Sequence, residues 1–118
     1  MVQTIRQLRE KSLQEQKQYT LHMDIGEQVV WISHEFMTDA QREEVSKSGR
    51  RIPDSLRILE VEFPLKNQLV HYRADIHFYP QGYSDKAVIH FKNADSKKFA
   101  ILVEPFLPRV NLIEADKL

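Results

Sequence analysis

Five histidines give this chain its widest choice of chemistry: His22, His34, His71, His77 and His90. Neutral imidazole binds metals and exchanges protons near neutral pH. His71 and His77 fall on one face of an alternating segment, about 20 Å apart at ~3.3 Å per residue, too far to share an ion. His77 and His90 meet only if residues 70–78 and 87–91 pair as a hairpin. Setting Phe78 against Ile89 gives that pairing, with His77 facing His90 and Asp75 facing Lys92, a favourable pair of opposite charges. Two imidazoles still fall short of the three or more protein ligands that zinc takes, and spacing fixes no third.

Nucleophilic chemistry has equally little to build on. The chain has no cysteine, hence no thiolate ligand, no cysteine nucleophile and no disulfide framework. Gly-x-Ser-x-Gly, His-Glu-x-x-His and a phosphate-cradling glycine loop are absent from the sequence. Its three glycines, Gly26, Gly49 and Gly82, each sit where a turn or helix end is expected. Glu43-Glu44 reads as a solvated helix face. No catalytic residue, cofactor site or metal site is expected, and the chain reads as a non-enzyme.

Charge narrows the partners. Lys plus Arg and Asp plus Glu number 17 each, which counts against nucleic-acid binding by a basic surplus. Gly49-Arg50-Arg51 is the one basic cluster and lacks interleaved aromatics, so it reads as an exposed loop. Trp31, the single tryptophan, is open to two readings, a core position or an outward interface position.

These residues need elements to hold them. The 118 residues suit one domain. Residues 2 to about 18 contain strong helix formers and no Gly or Pro, predicting a helix with a narrow apolar stripe at Val2, Ile5, Leu8 and Leu13. Period-two alternation then begins at Tyr19. A Gly26-Glu27 turn predicts a hairpin with Met23 opposite Val30, Leu21 opposite Ile32, and Trp31 on the other face near His22. Thr38-Asp39-Ala40-Gln41 predicts a capping box and a short helix to about Lys47, ended by Gly49. Residues 56–65 read as a strand whose phase slips near Ile58-Leu59, as a bulge would make it. Four further strands are expected at 70–78, 87–91, 99–103 and 110–113, with turns at 80–84, 93–96 and 105–108. Tyr79, Val88 and Leu102 would share a small apolar patch opposite Ile89 and Phe91. The fold class is α+β: an N-terminal helix packed on an antiparallel meander or two-sheet domain.

With helix and strands in place, the chain resembles the globular part of H-type minor pseudopilins of type II secretion. Ile5-Arg6-Gln7-Leu8-Arg9-Glu10-Lys11-Ser12-Leu13-Gln14-Glu15-Gln16-Lys17-Gln18-Tyr19-Thr20-Leu21 is similar to that family's helix exit into its first strand. Ile76-His77-Phe78-Tyr79-Pro80-Gln81-Gly82-Tyr83-Ser84 resembles its Phe-x-Pro-x-Gly-x-Ser turn, and residues 99–110 resemble its closing hairpin. The closing turn departs from the family: Pro105-Phe106-Leu107-Pro108-Arg109 lacks the usual glycine.

The resemblance implies a single pilin-like domain over 1–118, with 1–18 the C-terminal half of the pilin helix and 19–118 the β-rich part. It implies a periplasmic domain whose parent is held in the inner membrane by a preceding apolar segment with a methylated N-terminus. Met1 is then an engineered start. The implied partners are the major pseudopilin and minor tip subunits, with Val2, Ile5, Leu8 and Trp31 as candidate interface residues. Two alternatives stand beside it: a minor type IV pilin that binds DNA, against which the charge balance weighs, and a small enzyme or ligand carrier with a native Met1.

Overall fold

The computed structural model describes residues 1–106 and 110–114. Residues 107 and 108 of the turn expected at 105–108, and the tail after Glu114, fall outside the described residues.

Helix α1 runs Val2–Glu15. It stops short of the expected end because Gln16 takes a left-handed conformation (φ 55°), its N–H returning to the Ser12 carbonyl. That cap turns the chain so that Tyr19 can enter the first strand. The buried face is Ile5, Leu8, Arg9 and Ser12. Val2 is half-buried against the core. The expectation that Leu13 packs on the sheet is wrong: it is 50% exposed. At about 100° per residue Ile5, Leu8, Arg9 and Ser12 share one arc of the helix, and Leu13 lies at its margin.

Strands β1 (Tyr19–Asp24) and β2 (Val29–His34) form the expected hairpin, with Met23 opposite Val30, Leu21 opposite Ile32 and His22 opposite Trp31. The turn spans residues 25–28, wider than two residues. Helix α2 (Asp39–Lys47) carries the full capping box between Thr38 and Gln41. Two-residue strand β3 (Arg50–Arg51) then returns alongside β2. Gly49 makes this approach possible, since a Cβ there would lie 2.4 Å from Val29 Cγ1.

The second half supplies β4 (Leu56–Phe63), a 3₁₀ turn at Pro64–Lys66, β5 (Gln68–Val70), β6 (Arg73–Phe78), β7 (Ala87–Asn93), β8 (Lys98–Val103) and β9 (Val110–Glu114). They divide into a four-stranded sheet, β3-β2-β1-β6, and a five-stranded sheet, β5-β4-β7-β8-β9. The phase slip in β4 is a true irregularity of pairing between Ile58 and Glu60. Ile5 and Leu8 close a core made by both sheets, with Met23, Ile76, Phe78, Val61 and Ile89 among its members.

One expected pairing is wrong. Phe78 does not face Ile89, and His77 does not face His90. Strand β6 pairs with β1, setting Tyr19 against Phe78, Leu21 against Ile76 and Met23 against Ala74. Strand β7 lies in the other sheet, between β4 and β8. A hairpin does begin after β6: Phe78 bridges Ser84, and the Asp85 N–H donates to the His77 carbonyl. It goes no further. The Asp85 carboxylate accepts from the His77 N–H (3.0 Å) and the Tyr79 hydroxyl (2.9 Å). It thus occupies a donor that a following strand would use, and the chain crosses to the second sheet.

Candidate functional site

The outer face of the four-stranded sheet gathers polar side chains that sequence spacing alone does not bring together. His22 sits between Asp75 on β6 and Trp31 on β2 in the ladder. Its Nδ1 lies 2.7 Å from Asp75 Oδ1 and its Nε2 lies 2.7 Å from Ser33 Oγ. The His22 hydrogen bond, foremost, holds the Asp75 carboxyl below its ordinary range. Serine, imidazole and carboxylate so linked have the connectivity of a hydrolytic triad.

Two features stop the chemistry there. Ser33 is only 3% exposed, so its hydroxyl is closed to a substrate. In addition, backbone N–H groups in a sheet lie in its plane while side chains stand perpendicular to it. They do not converge above Ser33 as an oxyanion hole would require. The arrangement is a polar strut across three strands. Its sequence signal is period-two placement of His22, Ser33 and Asp75 on one face, visible only once β6 is set beside β1.

Trp31 extends the same surface. It is half-buried on the outer face, its ring stacked on His22 at 5.2 Å between centroids, with the Arg73 guanidinium 5.0 Å from its centre. The ring thus faces outward, away from the core. The other histidines are dispersed. His77 Nδ1 meets Thr20 Oγ1 at 2.9 Å, His71 Nε2 meets Glu60 at 3.0 Å, and His90 Nε2 lies 3.5 Å from Glu62. Among the described residues, no group of three or more His, Cys, Asp or Glu is placed to share a metal ion.

The helix presents two unlike faces. Ile5 and Leu8, both expected as interface candidates, are 0% and 2% exposed in the domain's own core. Arg6, Gln7, Glu10, Lys11 and Gln14 line the open face. Arg9, which the sequence pattern did not single out, is the buried charge. Its Nη2 donates to Ser84 Oγ at 2.9 Å and to the Glu104 carbonyl. It thus ties α1 to the Pro80–Ser84 turn region and to the end of β8. Burial presses its pKa below the ordinary arginine value, against the pull of Glu104.

A second surface lies at the C-terminal end of α1. Tyr79 stacks on Tyr83 at 4.7 Å, and Tyr83 leans on Phe106 at 5.8 Å. Leu13 approaches within 3.5 Å of the position a Cβ on Gly82 would take. Phe106 is 81% exposed. The patch expected from Tyr79, Val88 and Leu102 is split: Val88 pairs with Leu102 in the five-stranded sheet, whereas Tyr79 follows β6 of the other.

Comparison with known proteins defines this arrangement at the level of fold. No protein-family model matches the sequence, and no curated protein is similar to it. Among solved structures, the chain is similar to the minor pseudopilin EpsH from the type 2 secretion system of Vibrio cholerae. The superposition has a TM-score of 0.61, covers 96% of this chain and 90% of that one, and carries 8% sequence identity. The fold is pilin-like. The pilin-like domain here keeps the helix followed by two antiparallel sheets with almost no shared sequence. What the two chains have in common is therefore the fold and not the sequence.

Proposed function

We propose that this chain is the globular domain of a pilin-like structural subunit, an H-type minor pseudopilin of a type II secretion system. The observation that carries the reading is the near-complete superposition on a pseudopilin, helix included. The division of α1 supports it: one face is locked in the core by Ile5 and Leu8, and the other, from Arg6 to Gln14, is open along its length. A helix of that kind serves a filament, in which neighbouring helices cover the open face. The domain works in the periplasm, its parent anchored in the inner membrane by an apolar segment preceding the helix. Its partners are the major pseudopilin and the minor tip subunits. Its role is architectural, and the closed Ser33 hydroxyl fits a chain that does no chemistry of its own.

The test uses the full-length protein in its own cell. Residues 1–118 contain no cysteine, so single cysteines at Gln7, at Glu10 and at Lys98, in a parent freed of any other cysteine, give clean cross-linking sites. The helix positions should cross-link to pilin-like subunits and the exposed Lys98 position, in the five-stranded sheet, should not. Deletion of the gene should abolish export of folded proteins through the outer membrane. Equal cross-linking from all three sites, or unchanged export, would overturn the assignment.

A further inference from the structure

The two sheets part at the end where α1 begins, leaving a cavity of about 250 Å³. Its floor is core: Ile58, Ile89 and Ile101 all line it and are almost fully buried. Val30 and Phe91 also line it. Among the described residues, its polar lining is Thr4 and the two arginines of β3, Arg50 and Arg51, with no carboxylate. Both arginines are exposed, and neither forms an ion pair among the described residues. They are held there by the ladder, Arg50 opposite Val30 and Arg51 opposite Val29, through the close approach that Gly49 permits.

We propose that this cavity binds a single-chain anionic amphiphile, a fatty carboxylate, with its acyl chain on the isoleucine floor and its head group at Arg50, which shares the cavity-side face with its ladder partner Val30. Apolar cavities of roughly 150 Å³ already take up benzene, so the volume suffices for a chain segment. Charge selects the head group. A guanidinium group that forms no ion pair among the described residues attracts a carboxylate, to which Arg binds in a bidentate fork. The bareness of the floor selects the tail. A peptide would carry backbone N–H and C=O groups onto isoleucines that cannot pair with them, at a cost of several kcal/mol for each buried group. An acyl chain carries none. This inference does not rest on the filament reading, since its evidence is the cavity lining and not the open face of the helix.

The test is titration of the protein with decanoate, followed by NMR of the isoleucine methyls. The controls are decyltrimethylammonium, decanol and a capped peptide of acidic and apolar residues. Decanoate should produce saturable shifts at Ile58, Ile89 and Ile101, below its micelle concentration. Arg50→Gln should weaken decanoate about tenfold and leave decanol unchanged. Leu56→Trp, at the mouth, should block both ligands while the remaining spectrum reports an intact fold. Three results would overturn the proposal: no saturation, equal binding of the cationic amphiphile, or tighter binding of the peptide at the same methyls.

Discussion

Gln28 reaches from the first sheet into the second and pairs with both backbone groups of Ile58. Its Nε2 donates to the Ile58 carbonyl at 2.9 Å, and its Oε1 accepts from the Ile58 N–H at 2.8 Å. The same Nε2 donates to the Ile25 carbonyl at 2.6 Å. The pairing of β4 with β7 shifts between Ile58 and Glu60, so a ladder irregularity and its remedy adjoin. Gln28 holds a left-handed backbone conformation (φ 57°), and its own carbonyl accepts from the Ile52 N–H. One residue thus joins the first hairpin, the bulged strand and the segment after β3.

Removing that amide should be costly. Gln28→Ala leaves a buried N–H and a buried C=O of Ile58 without partners, at about 1–3 kcal/mol each, for a loss of about 2–6 kcal/mol. Gln28→Glu should not rescue, because a carboxylate cannot donate to the Ile58 and Ile25 carbonyls. Urea unfolding of both variants checks this. A midpoint unchanged in Gln28→Ala would show that water replaces the amide.

Asp75 sets an acid-side dependence. Its folded pKa is depressed, chiefly by the His22 hydrogen bond and then by the charges of His22, Arg73 and His77. Such a group contributes stability above its unfolded pKa, about 3.9, and loses it as pH falls through the lower folded value. Its side chain is 40% exposed, so solvent screening keeps the effect small. Between pH 5 and pH 2 the wild type should lose more stability than Asp75→Asn. Parallel acid curves for the two proteins would refute this coupling.

Arg9 makes a different prediction. It is 9% exposed, and its Nε and Nη1 have no hydrogen-bond partner among the described residues. A buried charge only partly paired is a poor source of stability, and an apolar side chain of similar length often replaces one without loss. Arg9→Met should therefore stay within about 1 kcal/mol of wild type, and Arg9→Ala should lose about 2–4 kcal/mol through the lost packing. Thermal unfolding separates the two. Equal losses would mean that the bonds to Ser84 and Glu104 dominate over packing.

Much of this fold is legible in local sequence pattern. Alternation through Tyr19 and Val30 gives the register of the first hairpin, Thr38 and Gln41 give the capping box, and the slip at Ile58-Leu59 marks the bulge. These features are set by residues close in sequence. The partner of β6 is not. Ile76 and Phe78 announce a face, but alternation matches Leu21 and Tyr19 as well as it matches Ile89 and Phe91. The deciding residue is Asp85, whose carboxylate ends the hairpin one step after Ser84. The same ambiguity hides the strut of Ser33, His22 and Asp75, which exists only across β2, β1 and β6. Trp31 is legible as outward-facing, since period two puts it on the His22 side; its stacking on Arg73 again needs β6.

The helix offers the sharpest test of docking. Ile5 and Leu8 project into the core, and Ser12 lies under the same arc, fully buried, its Oγ donating to the Arg9 carbonyl. Leu13 differs from Leu8 in position alone, not in chemistry, so the pair isolates the effect of burial. Leu8→Ala should destabilise the domain by about 2–5 kcal/mol, the range for a large-to-small change in a packed core. Leu13→Ala, half exposed beside Gly82, should cost well under half of that, and Gln7→Ala should stay within about 0.5 kcal/mol. The measurement is the urea midpoint at constant slope, since a changed slope would signal an altered denatured or native ensemble. If Leu13→Ala proved as costly as Leu8→Ala, the helix would have to be rotated toward the Pro80–Ser84 turn. Leu8, about 140° round the helix from Leu13, would then turn out of the core, and the open face from Arg6 to Gln14 would no longer be the one offered to a neighbouring subunit.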